Sequence, residues 1–182
     1  MNAARLQQWI DEIHATSRQQ WLLRLLALAA SLGAVLAATG ANGRWWPLGL
    51  ALVAGLAIAS AVRPDTHTAD VTIAIVVWHW LAVVDDVTTP WLPVASTCLL
   101  VYHSVIAVSA SVPIGGVLPT ATLAAWLRRV GAVSSATVVV WVLVLAFDRR
   151  AADGNGLLTA LALAIAAAGV AIVRARSIAR PS

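Results

Sequence analysis

Apolar runs with at most one charged residue, separated by short polar breaks, recur six times along this chain. Such a run has few solutions in any solvent. In hydrocarbon the backbone must satisfy its own hydrogen bonds, which a helix does within one segment, and about 20 apolar residues carry a helix across a bilayer. The runs cover approximately residues 22–39, 46–62, 70–84, 91–112, 130–147 and 157–173. The expected fold is therefore all-α: a polytopic transmembrane helical bundle of six spans over residues 22–174. With 60% hydrophobic and 11% charged residues, the chain lacks the polar surface that a soluble domain of 182 residues would present.

The 12 basic residues are all arginine, and the net charge of +4 reports topology and contact with anionic lipid before it reports nucleic acid. Cys98 is the single cysteine, which excludes an internal disulfide and argues against a thiolate metal site. No cleavable signal peptide is visible, because about twenty polar and amphipathic residues precede the first apolar run.

Residues 1–21 carry Leu6, Trp9, Ile10 and Ile13 at helical spacing, with Arg5, Gln7, Gln8, Asp11 and Glu12 on the other side. This pattern predicts an amphipathic helix on the cytoplasmic interface, with Trp21 at the membrane boundary. Leu123, Trp126, Leu127 and Val130 repeat it, ending at Arg128-Arg129 and feeding the fifth span from the same side. Residues 175–182 form a short basic cytoplasmic tail. Three stripes of small residues at four-residue spacing, Ala29/Gly33/Ala37, Ala51/Gly55/Ala59 and Ala160/Ala164/Ala168, predict faces where helices approach closely.

The third span is the short one, about 22 Å at 1.5 Å per residue, so charge must decide whether it crosses. With six spans and the N-terminus inside, nine arginines (5, 18, 24, 63, 128, 129, 174, 176, 180) face the cytoplasm against three outside (44, 149, 150). If the third run fails to cross, the tally becomes six to six. The positive-inside rule therefore favours six crossings with both termini cytoplasmic, in a bacterial plasma membrane.

Two spans carry a histidine, His79 in the third and His103 in the fourth. An ionisable group at membrane depth is a functional candidate by default. A tight hairpin around Val87 and Thr88 would set His79 opposite Ser96 and His103 opposite Thr72, giving two imidazole–hydroxyl pairs on one interhelical seam. The same register separates the two histidines by about 10 Å in depth, which disfavours bis-histidine haem ligation. A proton or ion pathway would draw on His79, His103, Asp70, Asp85 and Asp86. Asp65, His67 and Asp70 supply metal-ligand chemistry without the spacing of a known site, and helix capping explains them better. No catalytic residue, cofactor site or metal site is assigned. Lysine is absent, so there is no Walker lysine, and no Gly-x-Ser-x-Gly, His-Glu-x-x-His or Cys-x-x-Cys pattern occurs.

Arg63-Pro64-Asp65-Thr66-His67, Trp91, His103, Pro113 and Trp126-Leu127-Arg128-Arg129 together give the chain a pattern over about residues 45–150. It resembles small actinobacterial integral membrane proteins encoded beside MoxR-type AAA+ ATPases and their DUF58 partners. The resemblance implies no activity. It implies a membrane component working with an ATPase-linked chaperone or envelope system. The expected role is thus a non-enzymatic scaffold or accessory subunit, whose partners are the lipid bilayer and a membrane or cytoplasmic protein of such an AAA+ system. Self-association into an oligomer is compatible with it. The alternatives are a small-solute, ion or proton transporter and a bis-histidine haem protein.

Overall fold

The computed structural model describes residues 16–63, 67–86, 88–113 and 115–148. Among them the regular structure is helical: α1 (Arg18–Asn42), α2 (Pro47–Val62), α3 (Thr68–Val83), α4 (Trp91–Ala110) and α5 (Thr120–Asp148). The chain divides into two compact units, Met1–Val142 and Leu143–Ser182, and what is described of the second is the last part of α5. Most of the predicted helix at 1–21, the sixth span at 157–173 with its alanine stripe, and the basic tail lie outside the described residues.

Local chemistry sets the helix ends. Ser17 caps α1, its hydroxyl accepting from the Gln20 amide at 3.3 Å. The helix stops at Gly43, whose φ of 70° returns its N–H to the Thr39 carbonyl at 2.8 Å. Pro47 opens α2, and Pro93 sits in the first turn of α4, where a missing N–H costs no helical bond. Three helical stretches, Arg18–Asn42, Trp91–Ala110 and Thr120–Ala146, are long and apolar enough to cross a membrane. At 16 residues each, about 24 Å, α2 and α3 are shorter apolar helices, so length and hydropathy alone mark three spans rather than six.

Residues 120–148 form one continuous helix of 29 residues. The sequence reading divided this stretch into an interfacial helix and a span from Val130. No proline or capping residue separates the two parts, so the helical ladder runs through Arg128-Arg129 without a break.

Within the Met1–Val142 unit the dominant pair is α1 with α4, antiparallel. A Cβ added at Gly33 would sit 3.0 Å from Cys98 Sγ, and one at Gly40 would sit 2.6 Å from the Trp91 ring. In both contacts the residue numbers total 131, which defines the register. Three core layers follow it along the bundle. The first holds Leu23, Ala27, Ala30, Ala57, Ala69, Tyr102, Val105 and Ile106; the second Ala34, Val35, Val53 and Val76; the third Ala37, Ala38, Trp80, Val84 and Ala95. Small residues on α1 leave room for larger side chains from its neighbours, so α1 is the axis of the packing.

The small-residue stripes are only partly used. Ala37 is buried and Gly33 lies against α4, but Ala29 is exposed, and the rest of the α1 face comes from Ala27, Ala30, Ala34 and Ala38. On α2 the predicted stripe faces outward: Ala51, Gly55 and Ala59 are exposed, and Val53, Ala57, Ser60 and Ala61 are buried instead. In an alanine-rich helix several faces are small, and the bulkier Val53 finds its place opposite alanine on α1.

Gly40→Val should lower the unfolding temperature in detergent by an amount equivalent to about 1–3 kcal/mol, the usual range for overpacking. The loss should largely vanish in a Trp91→Ala background, while Gly55→Ala, with nothing within 4 Å, should be neutral or mildly stabilising. Thermal unfolding of the four variants measures this coupling.

Candidate functional site

The polar side chains of the bundle fall into two groups near its two ends. At the end where α2 passes to α3, Ser60 is fully buried and links three helices. Tyr102 of α4 donates its hydroxyl to Ser60 Oγ at 3.1 Å, and Ser60 Oγ lies 2.9 Å from Thr68 Oγ1 at the start of α3 and 2.8 Å from the Leu56 carbonyl. Tyr102 is itself fully buried, the largest such side chain. A phenol in an apolar layer needs a partner for its O–H, and a serine in the last turn of α2 supplies it.

Nearer the N-terminal end of α1, two glutamines hold the connection between α4 and α5. Gln19 Oε1 accepts from the Leu118 amide at 2.8 Å, and its Nε2 donates to the Leu118 carbonyl at 3.4 Å. Gln20 Nε2 donates to the Pro113 carbonyl at 2.8 Å, and the Gly115 amide donates to Gln20 Oε1 at 3.4 Å. Ser17 Oγ reaches the Gly116 carbonyl at 3.2 Å. The clamp replaces water on a loop whose backbone would otherwise carry unsatisfied groups. Sequence reasoning missed both the tyrosine network and the clamp. The signals were a lone tyrosine within an apolar run and a Gln-Gln pair at a helix start, neither of which names its distant partner.

At the other end, the His79 ring of α3 stacks on Trp46 with centroids 4.0 Å apart and planes inclined by 22°. Trp46 in turn packs onto Gly49, where an added Cβ would collide with the indole. His79 Nε2 is buried and finds no hydrogen-bond partner among the described residues.

The four residues predicted to form a seam are not brought together. Thr72 Oγ1 donates to the Thr68 carbonyl at 2.7 Å and Ser96 Oγ to the Leu92 carbonyl at 2.9 Å, each within its own helix. His79 lies against Trp46, and His103 is exposed. The reason is the partner of α4: it packs chiefly on α1, so no tight α3–α4 hairpin exists to set the register. Asn42 Nδ2 donates to the Val83 carbonyl, which levels α3 with α1 at an offset of 41 positions. His79 and His103 are then about ten positions apart along the bundle, roughly 15 Å, too far for two imidazoles to share one iron.

The carboxylates are peripheral. Asp70 is exposed and lies 3.7 Å from His67, which is exposed too; Asp65 falls outside the described residues. Asp85 and Asp86 are exposed in the α3–α4 connection. Asp86 closes a local turn, its carboxylate accepting from Thr88 Oγ1 at 2.6 Å and from the Thr88 amide at 2.8 Å. These bonds hold its pKa below the ordinary aspartate value. No group of three metal-ligating side chains occurs among the described residues. No protein family matches the chain, and neither a curated protein nor a solved structure is similar to it.

Tyr102→Phe removes one donor and leaves Ser60 its other partners, so it should cost about 0.5–1.5 kcal/mol in thermal unfolding. Ser60→Val, which strands the phenol, should cost more. For Asp86 the folded pKa is depressed, so its contribution to the turn is present above the unfolded-state pKa and is lost as pH falls through the folded one. The Thr88 amide resonance should accordingly titrate below the ordinary aspartate pKa, and the titration should vanish in Asp86→Asn.

Proposed function

We propose that this chain is a non-enzymatic integral membrane scaffold or accessory subunit of a bacterial membrane or envelope complex. The observation that carries this reading is how the polar groups of the described bundle are used. Ser31, Ser60, Thr72, Ser96 and Thr137 bond back to carbonyls of their own helices, and Ser60, Tyr102, Gln19 and Gln20 tie separate segments together. Groups committed to internal bonds build a rigid frame and leave no converging set of donors for a substrate.

In this reading the chain crosses the plasma membrane six times with both termini in the cytoplasm, the arrangement that the nine-to-three arginine tally favours. An AAA+ system as the partner rests on the sequence pattern of Arg63-Pro64-Asp65-Thr66-His67 and Trp126-Leu127-Arg128-Arg129 alone, which resembles small actinobacterial membrane proteins encoded beside MoxR-type ATPases. A transport reading rests on the buried polar atoms without a hydrogen-bond partner among the described residues: Nε2 of His79 at the Trp46 stack, Nε1 of Trp126 and Oγ of Ser134.

Crosslinking in native membranes followed by purification should recover an AAA+ ATPase with the chain, and cysteine labelling in a Cys98→Ala background should place Ser182→Cys on the cytoplasmic side. Labelling of Ser182→Cys from outside would overturn the topology. Loss of solute or proton flux in His79→Ala, with an unchanged melting profile, would replace the scaffold by the transporter.

A further inference from the structure

Hydrogen bonds between segments place the helices against one another. Ser17 with Gly116 and Gln19 with Leu118 place the segment just before α5 beside the start of α1, so α5 leaves from that end. At the far end Trp141 donates its indole N–H to the Thr88 carbonyl at 3.1 Å, three residues before α4 begins, so α5 runs toward the α3–α4 connection. Arg128 and Arg129, both exposed, lie between these two fixed points, ten residues after Leu118 and twelve before Trp141. Thr68 stands level with Ala27, in accord with Ala27, Ala57, Ala69 and Tyr102 sharing one core layer, and Arg63 follows Ser60 by about one turn.

A guanidinium cannot rest among acyl chains without large cost, and helical side chains lean toward their own N-terminus. The stems of Arg128 and Arg129 therefore lead back toward the level of Arg24, which is half-buried and lies 5.4 Å over the Trp21 ring. Such stems would bring Arg128 and Arg129 toward the plane of Arg24, with Asp70 the only carboxylate near it among the described residues. At the opposite end stand Trp45, Trp91 and Trp141, with Asp85 and Asp86 beside them. From Arg24 to Asn42 the distance is about 27 Å, close to the hydrocarbon thickness of a bilayer and matched by the two short helices.

We propose that this plane is a binding surface for acidic phospholipid headgroups, with Arg24, Arg128 and Arg129 facing their phosphates and the tryptophans seated in the other leaflet. This rests on the membrane reading above. The guanidinium offers paired donors to phosphate oxygens, and the clustering makes the attraction stronger than any one arginine would give.

The test uses the full-length protein in phosphatidylcholine vesicles carrying trace spin-labelled phosphatidylglycerol or spin-labelled phosphatidylcholine. Protein-contacting lipid should show about a fivefold preference for phosphatidylglycerol at low salt, falling toward parity as sodium chloride is raised. Arg128→Gln/Arg129→Gln should reduce the preference by half or more, while Arg44→Gln, at the opposite end, leaves it unchanged. Equal partitioning of the two lipids by the wild-type protein, or a preference untouched by the double substitution, overturns the headgroup surface alone. Absence of a motionally restricted spectrum with either lipid would instead overturn insertion in the membrane.

Discussion

Close approach of α1 and α4 is the constraint on which the rest of the structure depends. In lipid, burial of apolar surface does not draw helices together, so the backbones must come near enough for dispersion to act. Gly33 beneath Cys98 and Gly40 beneath Trp91 permit this at two points on one antiparallel register. Once that register is set, the alanines of α1 meet Val53, Val76, Trp80 and Tyr102 in successive layers, and α2 and α3 have defined seats.

A second constraint follows from the first. A tightly packed, apolar bundle gives polar atoms no water, so each needs a local partner. Serine and threonine find theirs one turn back in the same helix, which leaves them little to offer a neighbour. Contacts between segments come from Tyr102 to Ser60, Ser60 to Thr68, Asn42 to Val83, Trp141 to Thr88, and Ser17 with the two glutamines to the loop before α5. These bonds, rather than the histidines, are what the polar chemistry of the bundle accomplishes.

The histidines show where sequence reasoning reaches its end. Positions 79 and 103 were legible as apolar-segment imidazoles, and their spacing to Thr72 and Ser96 was correctly seven residues in each helix. Their partners were inferred from chain connectivity, on the assumption that consecutive helices pair tightly. Tertiary packing overrode that assumption, because α4 met a better surface on α1, some 70 residues earlier in the chain. The same override moved the used face of α2 away from Ala51, Gly55 and Ala59. By contrast, the arginines were read for topology and contact with anionic lipid, and which ends of the bundle carry them came only from hydrogen bonds between segments.

Hydropathy, prolines and glycines determined from sequence alone that the described chain is helical, and they placed the ends of α2, α3 and α4 within two residues, because these are local properties of backbone and side chain. Register and neighbour choice were decided only in three dimensions. They depend on which surfaces fit, and in an alanine-rich chain many faces look alike until a glycine, a buried tyrosine and a pair of glutamines select one arrangement.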